Sequence, residues 1–136
     1  YLVNPLLYHL CDITVGSRYI HGGRILNWQI RRHVISRTAC FFGSLLTSIK
    51  DVTSGYFFFR REVISNKILD PVGFKICLEI LVKGDYQTII EVPYTFNDRV
   101  TGKSKMGTKE ILFYLKHLYK LYTFKRAVKK KHVQPV

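Results

Sequence analysis

Arginines, lysines, hydroxyls and glycines gather in three separated stretches of the chain. These are GSRYIHGG at 16–23 running into NWQIRRHVISR at 27–37, DVTSGYFFFRREV at 51–63, and NDRVTGKSKMG at 97–107. The residue types suit one chemistry, the holding of phosphate. A guanidinium presents a fork of donors that matches two phosphate oxygens, and glycine lets the main chain approach a ligand closely. One such stretch is common. Three, each beside an expected strand or helix end, point to a phosphate-handling site assembled from distant parts of one fold.

The charge agrees. Lys and Arg number 22 against 9 acids, a formal +13, and that excess implies an anionic partner: nucleic acid, acidic lipid headgroups or phosphorylated substrates. Cys11, Cys40 and Cys77 are far apart, with no CxxC spacing. They suit buried thiols in a reducing compartment rather than a disulfide framework or a zinc site. The histidines show no paired spacing, and none is assigned chemistry. No run of about 18 apolar residues is present, so no membrane-crossing helix is expected. The chain starts at Tyr1 rather than Met, which reads as a processed form or a piece of a longer protein.

The elements that must position the three stretches alternate between strand and helix, and 47% hydrophobic content suits one packed α/β domain. Pro5 confines residues 2–10 to a short helical piece. DITVG at 12–16 reads as a buried strand, and 20–27 as a loop. From Trp28 to about Ile49, apolar residues at 34, 35, 38, 41, 42, 45, 46 and 49 form one stripe of a helix. Arg32 and Ser36 lie one turn apart on the opposite side, where both can face one ligand. Arg31 and Arg37 are read as solvated or ion-paired, and Trp28 and Tyr19 as packing residues. Asp51 is read as an organiser that caps the amides of the TSG turn.

After that turn, YFFFR is expected to be a strand buried on both faces, followed by a short helix near 61–66. Residues 72–83 read as a helix with Phe74, Cys77, Leu78 and Leu81 inward, in which Glu79 pairs with a nearby base. QTIIEV at 87–92 is a strand stopped by Pro93. A polar loop spans 97–108. The last helix, about 108–128, groups Ile111, Leu112, Leu115, Leu118, Tyr119 and Tyr122 on one face, with Lys109, Lys116 and Lys120 on the other. Such a basic, aromatic-rich helix can lie in a bilayer interface or bind an acidic partner.

In this order, the motifs GSRY with a following GG, NW…RR…ISR, DVTSG, RREV, GFKICLEIL, EVP and DRVTGKSKMG resemble the C-terminal part of the dolichyl-phosphate (polyprenyl-phosphate) mannose synthases. These are inverting family-2 glycosyltransferases. The resemblance implies the C-terminal portion of a nucleotide-diphospho-sugar transferase fold, Rossmann-like with a mixed sheet. It divides the chain into an acceptor half at 1–107, without the nucleotide-binding half, and a basic amphipathic helix and tail at 108–136. It implies transfer of a hexose, mannose from GDP-mannose, to a polyprenyl or dolichyl phosphate. The products would be lipid-linked sugars for glycosylation. Motif matching gives the acceptor phosphate to Arg18, Arg32 and Ser36, and a phosphate clamp to Arg99 and Lys105.

The family's pair of metal-binding aspartates, one residue apart, is not in this sequence. The resemblance therefore implies that the complete enzyme uses Mg or Mn held by residues outside this chain, and that the chain alone is inactive. It also implies a peripheral position on the cytoplasmic face of a membrane, reached through the basic helix or a membrane subunit. Glucose or another hexose passed to a bacterial polyprenyl phosphate is the alternative that keeps the fold. A basic nucleic-acid-binding module is the alternative that abandons it, and no nucleic-acid motif supports it.

Overall fold

The computed structural model describes residues 1–71, 75–98 and 108–131, with side chains described to residue 128. The β-branched run Ile13–Val15 builds β1 (Ile13–Ser17), all five of whose residues are buried. It is the central strand of a mixed sheet in the order β3-β1-β4. β3 (Phe57–Phe59) runs antiparallel to it, with Ile13 opposite Phe59. β4 (Ile89–Pro93) runs parallel, with Ile13 opposite Ile89. A strand covered on both edges and both faces reads as continuous hydrophobic sequence, as this one does.

The loop expected at 20–27 contains a strand. β2 (Arg24–Leu26) pairs in parallel with β5 (Thr95–Asn97), so that Arg24 faces Thr95 and Leu26 faces Asn97. The chain reaches β2 by folding back on β1. A Cβ at Gly23 would lie 2.7 Å from the Ser17 carbonyl oxygen, closer than any side chain allows. β3 is also unlike its expectation. It is an edge strand, with Phe57 and Phe59 half-buried and Phe58 exposed, because the sheet covers only one of its faces.

Among the described residues, four α-helices and one 3-10 turn, Arg61–Ile64, complete the fold. α1 (Asn4–Leu7) has its proline in the first turn, where the missing N–H costs nothing. α3 (Ile76–Lys83) buries Cys77, Leu78, Ile80 and Leu81 and closes at Gly84. Phe74, assigned to the same inward face, lies outside the described residues. The core joins Ile13 and Val15 of β1 to Val52, Val63, Leu78, Ile80 and Leu121.

α2 (Ile30–Ser44) corrects the sequence reading. Its buried residues are Ser36, Cys40 and Gly43, while Val34, Phe41 and Phe42 of the apolar stripe are exposed, as is Leu45 just beyond it; only Leu46 and Ile49, past the end of the helix, enter the core as expected. The helix turns its small and polar side inward. Gly43 shows why: a Cβ there would sit 2.3 Å from Val52 Cγ2, so this face meets its neighbours at backbone distance. α4 (Thr108–Lys131) behaves alike, packing Tyr114, His117 and Leu121 inward while Ile111, Leu112, Leu115, Tyr119 and Tyr122 face out. Among the described residues, no helix is long and apolar enough to cross a membrane.

A polar cluster is sealed where α3 meets α4. Glu79 Oε1 accepts from Lys83 Nζ at 2.6 Å and from the Asp70 amide at 2.8 Å, the basic pairing expected for it. His117 is fully buried, and neither ring nitrogen has a partner among the described residues. Burial lowers the His117 pKa, although Glu79 pulls it back up. The unfolded chain therefore binds a proton that the folded chain resists, and stability falls as pH drops through about 6.5. His117→Leu, which also removes two unmet buried nitrogens, is expected to raise the melting temperature at pH 7 and to flatten the loss between pH 7 and 5. An unchanged pH slope in thermal melts would show that other groups set it.

Candidate functional site

The stretches at 16–37 and 51–63 meet at the C-terminal end of β1, the usual place for a ligand in an α/β sheet. The centre is a buried ion pair. Arg18 follows β1, and Asp51 ends the segment that descends from α2. Asp51 Oδ2 accepts from the Arg18 amide at 3.0 Å and from its Nε at 2.7 Å, while Oδ1 accepts from Nη2 at 2.7 Å. The Arg18 side chain is 7% exposed and that of Asp51 is 0%. Burial pulls the Arg18 pKa down, but the hydrogen bonds and charge of Asp51 outweigh it and leave the net shift upward. The guanidinium is permanently charged.

Asp51 thus differs from its sequence reading. Its carboxylate caps Arg18 rather than the amides of the TSG turn. A second carboxylate holds it in place: Glu91 on β4 accepts from the Lys50 amide at 3.2 Å and the Asp51 amide at 3.3 Å. Hydroxyls extend the network. Thr53 Oγ1 accepts from Arg18 Nη2 at 3.0 Å and lies 3.4 Å from Ser36 Oγ, and Ser36 accepts from the Tyr19 hydroxyl at 2.8 Å. Cys40 Sγ lies 3.2 Å from Thr53 Oγ1, which explains why α2 turns this side inward. Burial raises the Cys40 pKa and pushes that of Cys77 up to about 12, so both stay thiols.

Arg32 stands beside this network in a different state. Its Nη1 donates to Asp98 Oδ2, the side chain is 25% exposed, and its Nε is buried without an acceptor among the described residues. Arg18 has given Asp51 the Nε–Nη2 edge, the edge that can grip two oxygens side by side; among the described residues Arg32 shows no such side-by-side pairing. Both guanidiniums lie against Trp28, with Cζ atoms 5.2 and 5.0 Å from the ring centroid. Arg37 is exposed, with its Cζ 5.1 Å from the Tyr19 ring centroid. Lys75, before α3, is lowered in pKa by burial, with the Arg18 charge adding to the fall and that of Asp51 opposing it.

Of the residues singled out from sequence, the structure brings together Arg18, Arg32, Ser36 and Asp51. Arg99 and Lys105 lie outside the described residues. Thr53 and the Tyr19 hydroxyl were missed as members of the network. Thr53 was within reach, two residues beyond Asp51 in the same motif, whereas nothing local marks Glu91 or Lys75. Among the described residues no three His, Cys, Asp or Glu side chains gather to hold a metal ion.

The buried pair makes a stability prediction. Asp51→Ala leaves a buried guanidinium without its counter-charge and is expected to cost about 3–5 kcal/mol in urea denaturation. Replacing both partners, Arg18→Met with Asp51→Leu, is expected to cost much less. Equal losses would mean that the two side chains act separately.

No protein-family model matches the chain. Curated relatives do. It is 46% identical over 114 residues to a dolichol-phosphate mannosyltransferase of Pyrococcus furiosus, covering 81% of this chain and 32% of the relative. It is 40% identical over 121 residues to the dolichol-phosphate mannosyltransferase of Saccharomyces cerevisiae, covering 82% of this chain and 45% of the relative. It is 38% identical over 107 residues to a polyprenol monophosphomannose synthase of Mycolicibacterium smegmatis, covering 74% and 40%. The chain thus spans a third to under half of the length of the relatives it matches. The chain is a homologue of part of these mannosyltransferases, as its ordered motifs had suggested.

Proposed function

We propose that this chain is the acceptor-binding portion of an inverting glycosyltransferase that moves mannose from a nucleotide sugar to a polyprenyl phosphate. The observation that carries the reading is the homology to dolichol-phosphate and polyprenol mannosyltransferases. Matches that cover four fifths of the chain include Trp28, Arg32, Ser36 and Asp51 wherever they begin. The geometry supports it. A lipid phosphate needs fixed positive charge, a guanidinium edge not already given to a carboxylate, and hydroxyl groups, and among the described residues this cluster supplies all three.

The reaction asks little covalent chemistry of the protein. A phosphate oxygen of the acceptor is already anionic. It attacks the anomeric carbon, the bond to the nucleotide diphosphate breaks on the opposite face, and the diphosphate leaves with the bonding electrons. Catalysis then rests on position and charge. Arg32 offers its Nε–Nη2 edge to the acceptor phosphate, Ser36 stands one turn on, and Arg18 holds its charge beside them while Asp51 fixes its place. Arg99 and Lys105 complete the reading as a phosphate clamp. GDP-mannose is the proposed donor, and a divalent metal would be held by residues outside this chain. The mixed sheet is read as the C-terminal portion of a Rossmann-like nucleotide-diphospho-sugar transferase.

The acceptor is a lipid, and two helices suit a membrane surface. α4 shows Leu112, Leu115 and Tyr119 to solvent beside Lys109 and Lys116, and α2 shows Ile30, Val34, Phe41 and Phe42 beside Arg31 and Arg37. Apolar side chains flanked by bases match an anionic bilayer interface, where each base adds on the order of 1 kcal/mol. A peripheral position on the cytoplasmic face follows from this reading.

The decisive variant is Arg32→Ala in the full-length protein. The KM for polyprenyl phosphate is expected to rise about tenfold or more, the worth of a charged hydrogen-bond pair, with the KM for the nucleotide sugar within about twofold. Equal loss toward both substrates would remove Arg32 from the acceptor site.

A further inference from the structure

Trp28 lies between β2 and α2, and its ring is well accounted for by packing. Phe96 of β5 lies 5.4 Å away and His33 5.6 Å away, both edge-on, and the Arg18 and Arg32 guanidiniums lie against it. All four are contacts of the aromatic ring, a feature that phenylalanine shares in smaller form. What packing leaves unexplained is the one polar atom of the side chain. The indole Nε1–H is buried and has no acceptor among the described residues. Indole nitrogen only donates, so no rotation turns it into a satisfied group.

The nearest guanidinium carries the same defect. Arg32 Nε is also buried and also without an acceptor, although Nη1 of the same group is bound to Asp98. Two buried donors on side chains in contact, both unmet among the described residues, thus lie where the Arg18 and Arg32 charges meet the Trp28 ring. Buried donors in folded proteins nearly always have partners, and leaving two unmet in one place is costly. An acceptor with negative charge relieves both at once. Arg18 supplies the contrast: its Nε is fully engaged by Asp51, which shows what a closed site looks like a few ångströms away.

We propose that Trp28 is a ligand-contacting residue whose indole N–H, together with Arg32 Nε–H, donates to a phosphate oxygen of the lipid acceptor. This rests on the reading of the cluster as a polyprenyl-phosphate site, and it adds to that site a neutral donor that motif matching does not supply. Both donors are shut off from water in the ligand-free protein, so the phosphate enters by displacing a neighbour. The Arg32–Asp98 pair is the contact suited to yield, because both side chains are partly exposed, at 25% and 19%, and a phosphate competes directly for the guanidinium.

The test is Trp28→Phe in the full-length protein, with Phe96→Leu as its companion. The first removes the N–H and keeps a ring; the second disturbs the same packing and keeps the N–H. Binding is measured for a short-chain polyprenyl phosphate in detergent micelles and, separately, for a nucleoside diphosphate, with the melting temperature of the ligand-free proteins recorded beside it. The expected result for Trp28→Phe is an affinity for polyprenyl phosphate about tenfold weaker, an unchanged affinity for the nucleoside diphosphate, and a melting temperature equal to or above wild type. Phe96→Leu is expected to bind both ligands as wild type does.

Unchanged lipid-phosphate affinity in Trp28→Phe overturns the proposal, as does a loss confined to the nucleoside diphosphate. An equal loss in Phe96→Leu also overturns it, because packing would then explain the effect. Failure of the wild type to bind polyprenyl phosphate sinks the acceptor-site reading and this inference together. Wild-type binding that Trp28→Phe leaves intact sinks the inference alone.

Discussion

The Arg18–Asp51 pair is the contact on which the rest of the site depends. Two charges withdrawn from water are tolerated only when geometry is good and the remaining polar atoms are occupied. Here the carboxylate takes two guanidinium donors and an amide, and Thr53 takes a third donor from the guanidinium. The pair fixes the end of β1 against the segment after α2, and that junction sets where Tyr19, Ser36, Cys40 and Trp28 can lie. Glu91 then ties the same junction to β4. The proposed acceptor site is thus built on a floor of charges that cannot move.

A division of labour between the two arginines follows. Arg18 is locked and buried; Arg32 is half-held by a carboxylate near the surface. One guanidinium gives the site its shape, and the other remains able to exchange one anion for another. The sequence presents them as equals, since both stand in basic motifs with aromatic neighbours. Only the long-range pairing separates them, because a carboxylate 33 positions away leaves no mark beside the arginine it binds.

Much of the scaffold was legible for simple reasons. β1 is a β-branched run ending at small residues, α3 repeats its apolar residues at helical spacing before a glycine, and Pro5 and Pro93 mark where elements must start or stop. β2 and β5 were not legible. Each is three residues long, largely exposed, and paired with a segment some seventy positions away, so neither alternation nor composition marks them. α2 was read correctly as a helix, but within it the apolar side faces out, and only Leu46 and Ile49 beyond its end reach the core as expected. Periodicity reports that one side is apolar; that this side faces the core is an assumption, and here Ser36, Cys40 and Gly43 face it instead. The same residues show why the site could be half-read: Ser36 was placed beside Arg32 by spacing, while its bond to the Tyr19 hydroxyl needed the fold.

The sheet order has a consequence for how the chain is made. β1 gains one neighbour from Phe57–Phe59 but the other only from Ile89–Pro93, and β2 waits for Thr95–Asn97. On a ribosome, Arg18 and Asp51 both emerge well before β4 and β5. The nascent chain therefore passes through a stage in which a charged pair lies at an open sheet edge, with backbone groups free to bond another chain. Non-local parallel pairing is slow to close. Synthesis of this protein is thus a race between the arrival of its own β4 and the capture of β1 by a neighbour, a stage at which a chaperone or a growing membrane contact has the most to protect.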